Sequence, residues 1–194
     1  MTQTITRLYD NGTHAEQAMH ALRAVGLTDD QVSIVANRSN DTVANPQATT
    51  DAAEAATTGA SLGGAVGAGA GLLAGVGLLA IPGIGPVVAA GWLAATALGA
   101  VAGAVTGGAA GGLVGSLTSD GIPEDHANVY AEGIRRGGSM VIARVPDERE
   151  GEVKRILDTY PSVEPAAREA EYRRDGWQRF DEKAAPFVPP ARPN

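Results

Sequence analysis

Gly75-Val-Gly-Leu-Leu-Ala-Ile-Pro-Gly-Ile-Gly-Pro-Val-Val-Ala-Ala-Gly91 decides how the chain is read. It lies inside residues 55–119, which contain no Asp, Glu, Lys, Arg or His and hold 18 of the 26 glycines. Many of those glycines are in phase. Gly59, Gly63, Gly67, Gly71 and Gly75 recur every fourth residue, and the series resumes at Gly91, Gly99, Gly103, Gly107, Gly111 and Gly115, with Ala95 in the gap. Positions four apart share one face of an α-helix. Glycine inside a helix costs about 1 kcal/mol relative to alanine, so a regular stripe implies a compensating contact. Close approach of two helix backbones supplies one. The expectation is therefore a helical hairpin over 57–119, with arms 57–80 and 87–117. Its turn falls at Pro82, Gly83, Gly85 and Pro86, where proline and glycine break both arms. A flexible linker is the bland alternative, but linkers are Gly/Ser-rich and polar. This stretch interleaves Leu62, Val66, Leu72, Val88, Leu98 and Val105 and has few serines.

A charge-free hairpin has to leave water. The arms would extend about 36 Å and 46 Å at 1.5 Å per residue, enough for a bilayer. Alanine and glycine, however, bring little hydrophobic drive. The flanks carry Asp51, Glu54, Asp120, Glu124 and Asp125 rather than basic residues, and Trp92 is the only aromatic within 55–119. The competing answer is burial against protein, and copies of the same chain are the natural partner. Homo-oligomer and membrane contact both stand as expectations.

Outside this segment the chain reads as an ordinary small α+β fold. Residues 3–9 are β-rich and stop at Asp10-Asn11-Gly12. A helix starts at Thr13, with Glu16 completing a capping box, and Gly26 ends it. Val32–Ala36 is a second strand, and 37–56 form a polar linker. Beyond the hairpin, Pro123, Glu124 and Asp125 open a helix and Gly137-Gly138 end it. Residues 139–145, Ser-Met-Val-Ile-Ala-Arg-Val, are a near-continuous apolar run and should be the central strand. A helix capped at Asp147 follows, and Ser162–Glu164 suits a short edge strand. The order β-α-β, α, β-α-β is that of a ferredoxin-like sheet with helices on one face. On this reading 1–36 and 120–165 form one sheet domain, and the hairpin is inserted between its halves. Residues 166–194 form an extended, charged and proline-rich tail. Its Tyr172, Trp177, Phe180 and Phe187 suit a docking peptide for another subunit or protein, against the simpler reading of a disordered tail.

Composition narrows the function. The chain has 194 residues and a net charge of −7, which argues against nucleic acid as a partner. It has no cysteine, hence no disulfide or thiol chemistry. No secretory signal is legible in Met1–Arg7, which leads to a cytoplasmic expectation, with the cytoplasmic membrane face as a second place. The glycine runs complete neither a dinucleotide fingerprint nor a P-loop. His14, His20 and His126 lack metal-ligand spacing. No catalytic residue, cofactor or metal is expected.

Several stretches together resemble one family. They are Ile5-Thr-Arg-Leu-Tyr-Asp10, Val32-Ser-Ile-Val-Ala-Asn37, Ala80-Ile-Pro-Gly-Ile-Gly-Pro-Val-Val88, Gly121-Ile-Pro-Glu124, Tyr130-Ala-Glu-Gly133 and Arg136-Gly-Gly-Ser-Met-Val141. They resemble the bacterial general stress protein 17M-like family over roughly residues 3–165. The resemblance implies a non-enzymatic, stress-associated protein and carries over no catalytic residues. Joined to the glycine stripe, it suggests action by self-assembly or membrane association. A soluble homo-oligomeric structural or cargo-type protein, and a small-ligand sensor built on the sheet domain, are the alternatives.

Overall fold

The computed structural model describes residues 2–37, 77–81, 84–93, 112–184 and 187. Their strands are β1 (Thr2–Tyr9), β2 (Val32–Asn37), β3 (Gly77–Ile81), β4 (Gly85–Ala90) and β5 (Ser139–Pro146). Their helices are α1 (Gly12–Ala24), α2 (Leu113–Ser119), α3 (Glu124–Arg135), α4 (Glu150–Leu157) and α5 (Pro165–Arg174). The strands form one sheet in the order β1-β5-β2-β4-β3, with every neighbouring pair antiparallel. The fold is mixed α+β. Among the described residues, no helix is long and apolar enough to cross a membrane.

β5 is an interior strand, second in the sheet beside β1, while β2 takes the centre, and its interior position follows from its composition. Side chains alternate between faces along a strand, so a strand apolar on both faces must be covered on both. Val141, Ala143 and Val145 join Ile5, Tyr9 and Val32 under α1 and α4. Met140 and Ile142 join Leu8, Val35, Val87 and Ala89 under α2 and α3. The helices thus lie on both faces, where one was expected. The expected edge strand 162–164 contracts to a single bridge, Leu8 to Val163.

The hairpin expectation needs its main correction at its centre. Residues 77–80 and 87–90, expected in the helix arms, and Ile81, Gly85 and Pro86, expected in the turn between them, belong to two β-strands. They form a β-hairpin that widens the sheet to five strands, with β4 against β2 and β3 outermost. The glycine phase carries no information here: its positions within the two strands are Leu79 and Val87, and Gly77 and Gly85 are out of phase. β-Branched Ile81, Val87 and Val88 favour strands, and β2 offers an unpaired edge to receive them. At the other end, 113–117 are helical as expected, within α2. Residues 57–76 and 94–111, which held most of both arms, lie outside the described residues.

The local signals elsewhere hold with small shifts. Asn11, rather than Thr13, caps α1, its Oδ1 accepting from the Thr13 N–H at 2.9 Å. Gly26 takes φ +87° just past the helix. Asp147 opens a 3₁₀ turn, Asp147–Arg149, that runs into α4.

Candidate functional site

Of the stripe, only Gly91 and Gly115 are among the described residues; Gly59, Gly63, Gly67, Gly71, Gly75, Gly99, Gly103, Gly107 and Gly111 are not, nor are Pro82 and Gly83 of the turn. Gly85 and Pro86 start β4. Pro86 pairs with Ala80 of β3, just beyond the last described β2 pair, Asn37 to Val87. That suits proline, which cannot donate to a ladder. Gly91 is not a helix-packing residue. It turns the chain at φ +89°, and a Cβ there would overlap the Val32 carbonyl oxygen and stand 2.6 Å from Ser33 Oγ. Ser33 Oγ in turn accepts from the Leu93 N–H at 2.8 Å. Gly115 lies in α2, whose Leu113 and Leu117 are buried.

Trp92 within the charge-free segment and Asp120 just beyond it converge on one cation. Arg144, on the α2/α3 face of β5, stacks its guanidinium 3.2 Å from the centroid of the Trp92 ring. The same group makes a two-pronged ion pair with Asp120, with Nε to Oδ2 at 2.8 Å. Trp92 follows β4 and Asp120 caps the end of α2, so Arg144 ties together the chain on either side of 94–111. A planar guanidinium can stack and pair at once, which a lysine could not.

The tail is the second feature, and the expectation of an extended docking peptide is corrected here. Glu164 caps α5, accepting from the Ala167 N–H at 2.9 Å, and Pro165 occupies its first turn. The aromatics dock within the chain, on α3. Tyr172 is 2% exposed; Arg136, just past α3, lies 4.2 Å over its ring, and Trp177 meets it edge-on at 5.7 Å. Phe180 is buried in the cluster beneath α2 and α3. Phe187 lies beside Arg135 and Arg136, at 5.9 and 5.2 Å. Arg179 pairs with Glu124, and Arg168 grips Asp10 through two bonds of 2.8 and 2.6 Å.

One buried carboxylate organises this contact. Glu132 is 1% exposed and accepts from Arg135 at 2.9 Å and Arg136 at 2.8 Å. Arg136 also donates to Asp175 at 3.1 Å, just past α5. A carboxylate taken from water needs such pairing. Its i+3 and i+4 arginines were visible in the sequence, but they read equally well as a solvated helix face. Burial raises the Tyr172 hydroxyl pKa, against the lowering pull of Arg168 and Arg136. It raises Tyr9 and Tyr130 in the same way. The Arg168 guanidinium is held more strongly protonated, chiefly by its bond to Asp10. Between α3 and residues 176–184 runs an open groove of about 620 Å³, lined by Glu132, Arg135, Trp177 and Phe180.

The third feature is the pair of sheet edges. β3, Gly77-Leu-Leu-Ala-Ile81, has a neighbour only in β4, and β1 is bridged on its outer side only at Leu8, among the described residues. No group of three His, Asp or Glu side chains among those residues could hold a metal ion. The described surfaces present backbone donors and acceptors along two sheet edges and an arginine–aromatic clasp on α3. No protein-family model, characterised protein or solved structure matches this chain.

Proposed function

We propose that this chain is a non-enzymatic stress-associated protein that works by self-assembly, using the charge-free segment 55–119. In this reading β1, β2, β5 and the Val163 bridge make a ferredoxin-like core, and the segment is its assembling insertion. One observation carries the reading. The central part of the segment lies at the margin of the sheet, and its outer strand, Gly77–Ile81, has no described neighbour on its far side. Natural proteins protect such edges with lysine, proline or a bulge. Gly77-Leu-Leu-Ala-Ile81 carries neither residue, and its register with β4 is continuous. An apolar edge without lysine or proline, inside a segment without charge and with no described strand beyond it, offers a surface to another copy. The resemblance to general stress proteins supports the stress association.

The test is the particle mass of the purified chain by sedimentation velocity, with and without detergent. Several chains per particle without detergent, falling when Leu79→Lys puts a charge into the edge, is the expected result. A monomer at all concentrations would refute the reading. Recovery only from the membrane fraction would replace self-association with lipid as the partner.

A further inference from the structure

The tail returns to the far end of the charge-free segment. Past α5 the chain turns at Gly176, φ +85°, where a side chain would meet only open space. Arg179 then pairs with Glu124 at the start of α3. Phe180 is buried in one cluster with Leu113 and Leu117 of α2 and Ile122 beyond it. The Glu182 carboxylate lies where a side chain at Gly112, the residue before α2, would begin. Gly112, Leu113 and Leu117 all belong to the segment 55–119. The tail therefore straps down the last turns of the stretch on which the self-assembly reading rests.

Four observations mark this strap as releasable. Among the described residues its backbone bonds stay local, from Gly176 to Arg173, Trp177 to Tyr172 and Ala184 to Asp181, so no ladder ties it to the fold. The Arg179–Glu124 pair joins two exposed side chains and contributes little. Two open clefts border the strap, the groove of about 620 Å³ against α3 and another of about 520 Å³ lined by Gly112, Gly115 and Thr118. A settled protein contact is close-packed instead. Finally, Trp177 Nε1 is buried without a hydrogen-bond partner. Its N–H has given up water and gained nothing, and opening would restore that bond. Closure rests mainly on two rings, Phe180 in the cluster and Phe187 beside Arg135 and Arg136.

We propose that residues 176–184 are an autoinhibitory strap. Closed, they hold the C-terminal end of segment 55–119 against α3. Opened about Gly176, they uncover Leu113 and Leu117 and shift the chain toward assembly. This rests on the self-assembly reading above and names its regulation. Apolar surface returned to water favours association, and here it adjoins a stretch that carries no charge to oppose it. The hinge suits the motion, because glycine holds a positive φ without strain and nothing crowds it. Whatever binds the open and closed forms unequally then sets how much of the chain is free to assemble.

The chain has no cysteine, so an introduced pair can lock the strap. Gly112 has φ −69°, open to any residue, and Glu182→Cys removes the carboxylate that a side chain there would meet. The double variant Gly112→Cys, Glu182→Cys is joined within one chain by a short bis-maleimide and compared with the same protein left unlinked. In sedimentation velocity the linked form should need about tenfold more protein to associate, because only the open fraction is competent. Phe180→Ala in the full chain should associate at about tenfold lower concentration than the parent, for the same reason. Trypsin should also cut it faster after Arg179 and Lys183; if this variant loses its fold, the linked pair decides alone. Equal association of linked and unlinked protein would overturn the strap. So would faster cleavage of Phe180→Ala without stronger association, or cysteines that link only between chains. Any of these in a chain that still assembles sinks this inference alone. Monomers in the parent, in Phe180→Ala and in the linked form sink it together with the self-assembly reading.

Discussion

Replacing Tyr172 by alanine should release the C-terminal helix from α3. The ring is 2% exposed, and an aromatic side chain buries roughly 150–250 Å². At about 25 cal/mol per Å², and with the alanine methyl still buried, the loss is about 3–5 kcal/mol, in line with other buried aromatic truncations. The edge-on contact with Trp177 and the stacked Arg136 guanidinium each add roughly 1 kcal/mol beyond that area term. The helix has other attachments, the Arg168–Asp10 and Arg136–Asp175 pairs, but both involve exposed carboxylates and contribute little. The clasp should therefore open locally before the sheet unfolds. Limited trypsin digestion reads this directly, because Arg173 and Arg174 are exposed side chains on a helix that resists cleavage only while docked. The variant should be cut there at least tenfold faster than the parent, with Tyr172→Phe close to the parent. Equal cleavage of parent and Tyr172→Ala would show that the aromatic contact does not hold the tail, and would refute the argument.

Two other outcomes are expected. Gly91→Ala should be among the most damaging single-methyl changes in the chain, about 3 kcal/mol or more by urea unfolding, because it combines φ +89° with overlap on the backbone of β2; a loss under about 1 kcal/mol would mean the turn can relax. Stability should also fall as pH rises through and beyond 10. Tyr9, Tyr130 and Tyr172 have folded-state pKa values raised by burial above that ordinary value, so the unfolded chain loses their protons first and is favoured in alkali. Urea midpoints at pH 8, 10 and 11 check this, and flat midpoints would contradict it.

Much of the architecture was legible residue by residue. The stops at Asn11-Gly12, Gly26 and Gly137-Gly138, the proline before α3 and the apolar run of β5 each act through local sterics or side-chain burial, and each stands close to where the sequence places it. The expected docking role of Tyr172, Trp177 and Phe180 had the right residues and the wrong partner. Their aromatic character signals burial, but nothing along the chain says that the receiving surface is α3 of the same molecule. Glu132 was missed for a similar reason, since a carboxylate beside two arginines looks the same on a solvated helix and beneath a docked one.

By itself the sequence determined where charge is absent, where the chain must turn, and that residues 139–145 need cover on both faces, because these follow from composition and local backbone sterics. Tertiary structure alone decided that Gly77–Ile81 and Gly85–Ala90 are strands. The glycine phase is broken at Leu79 and Val87 and says nothing of these residues, and the choice fell to the edge of β2, whose backbone bonds a neighbouring strand meets.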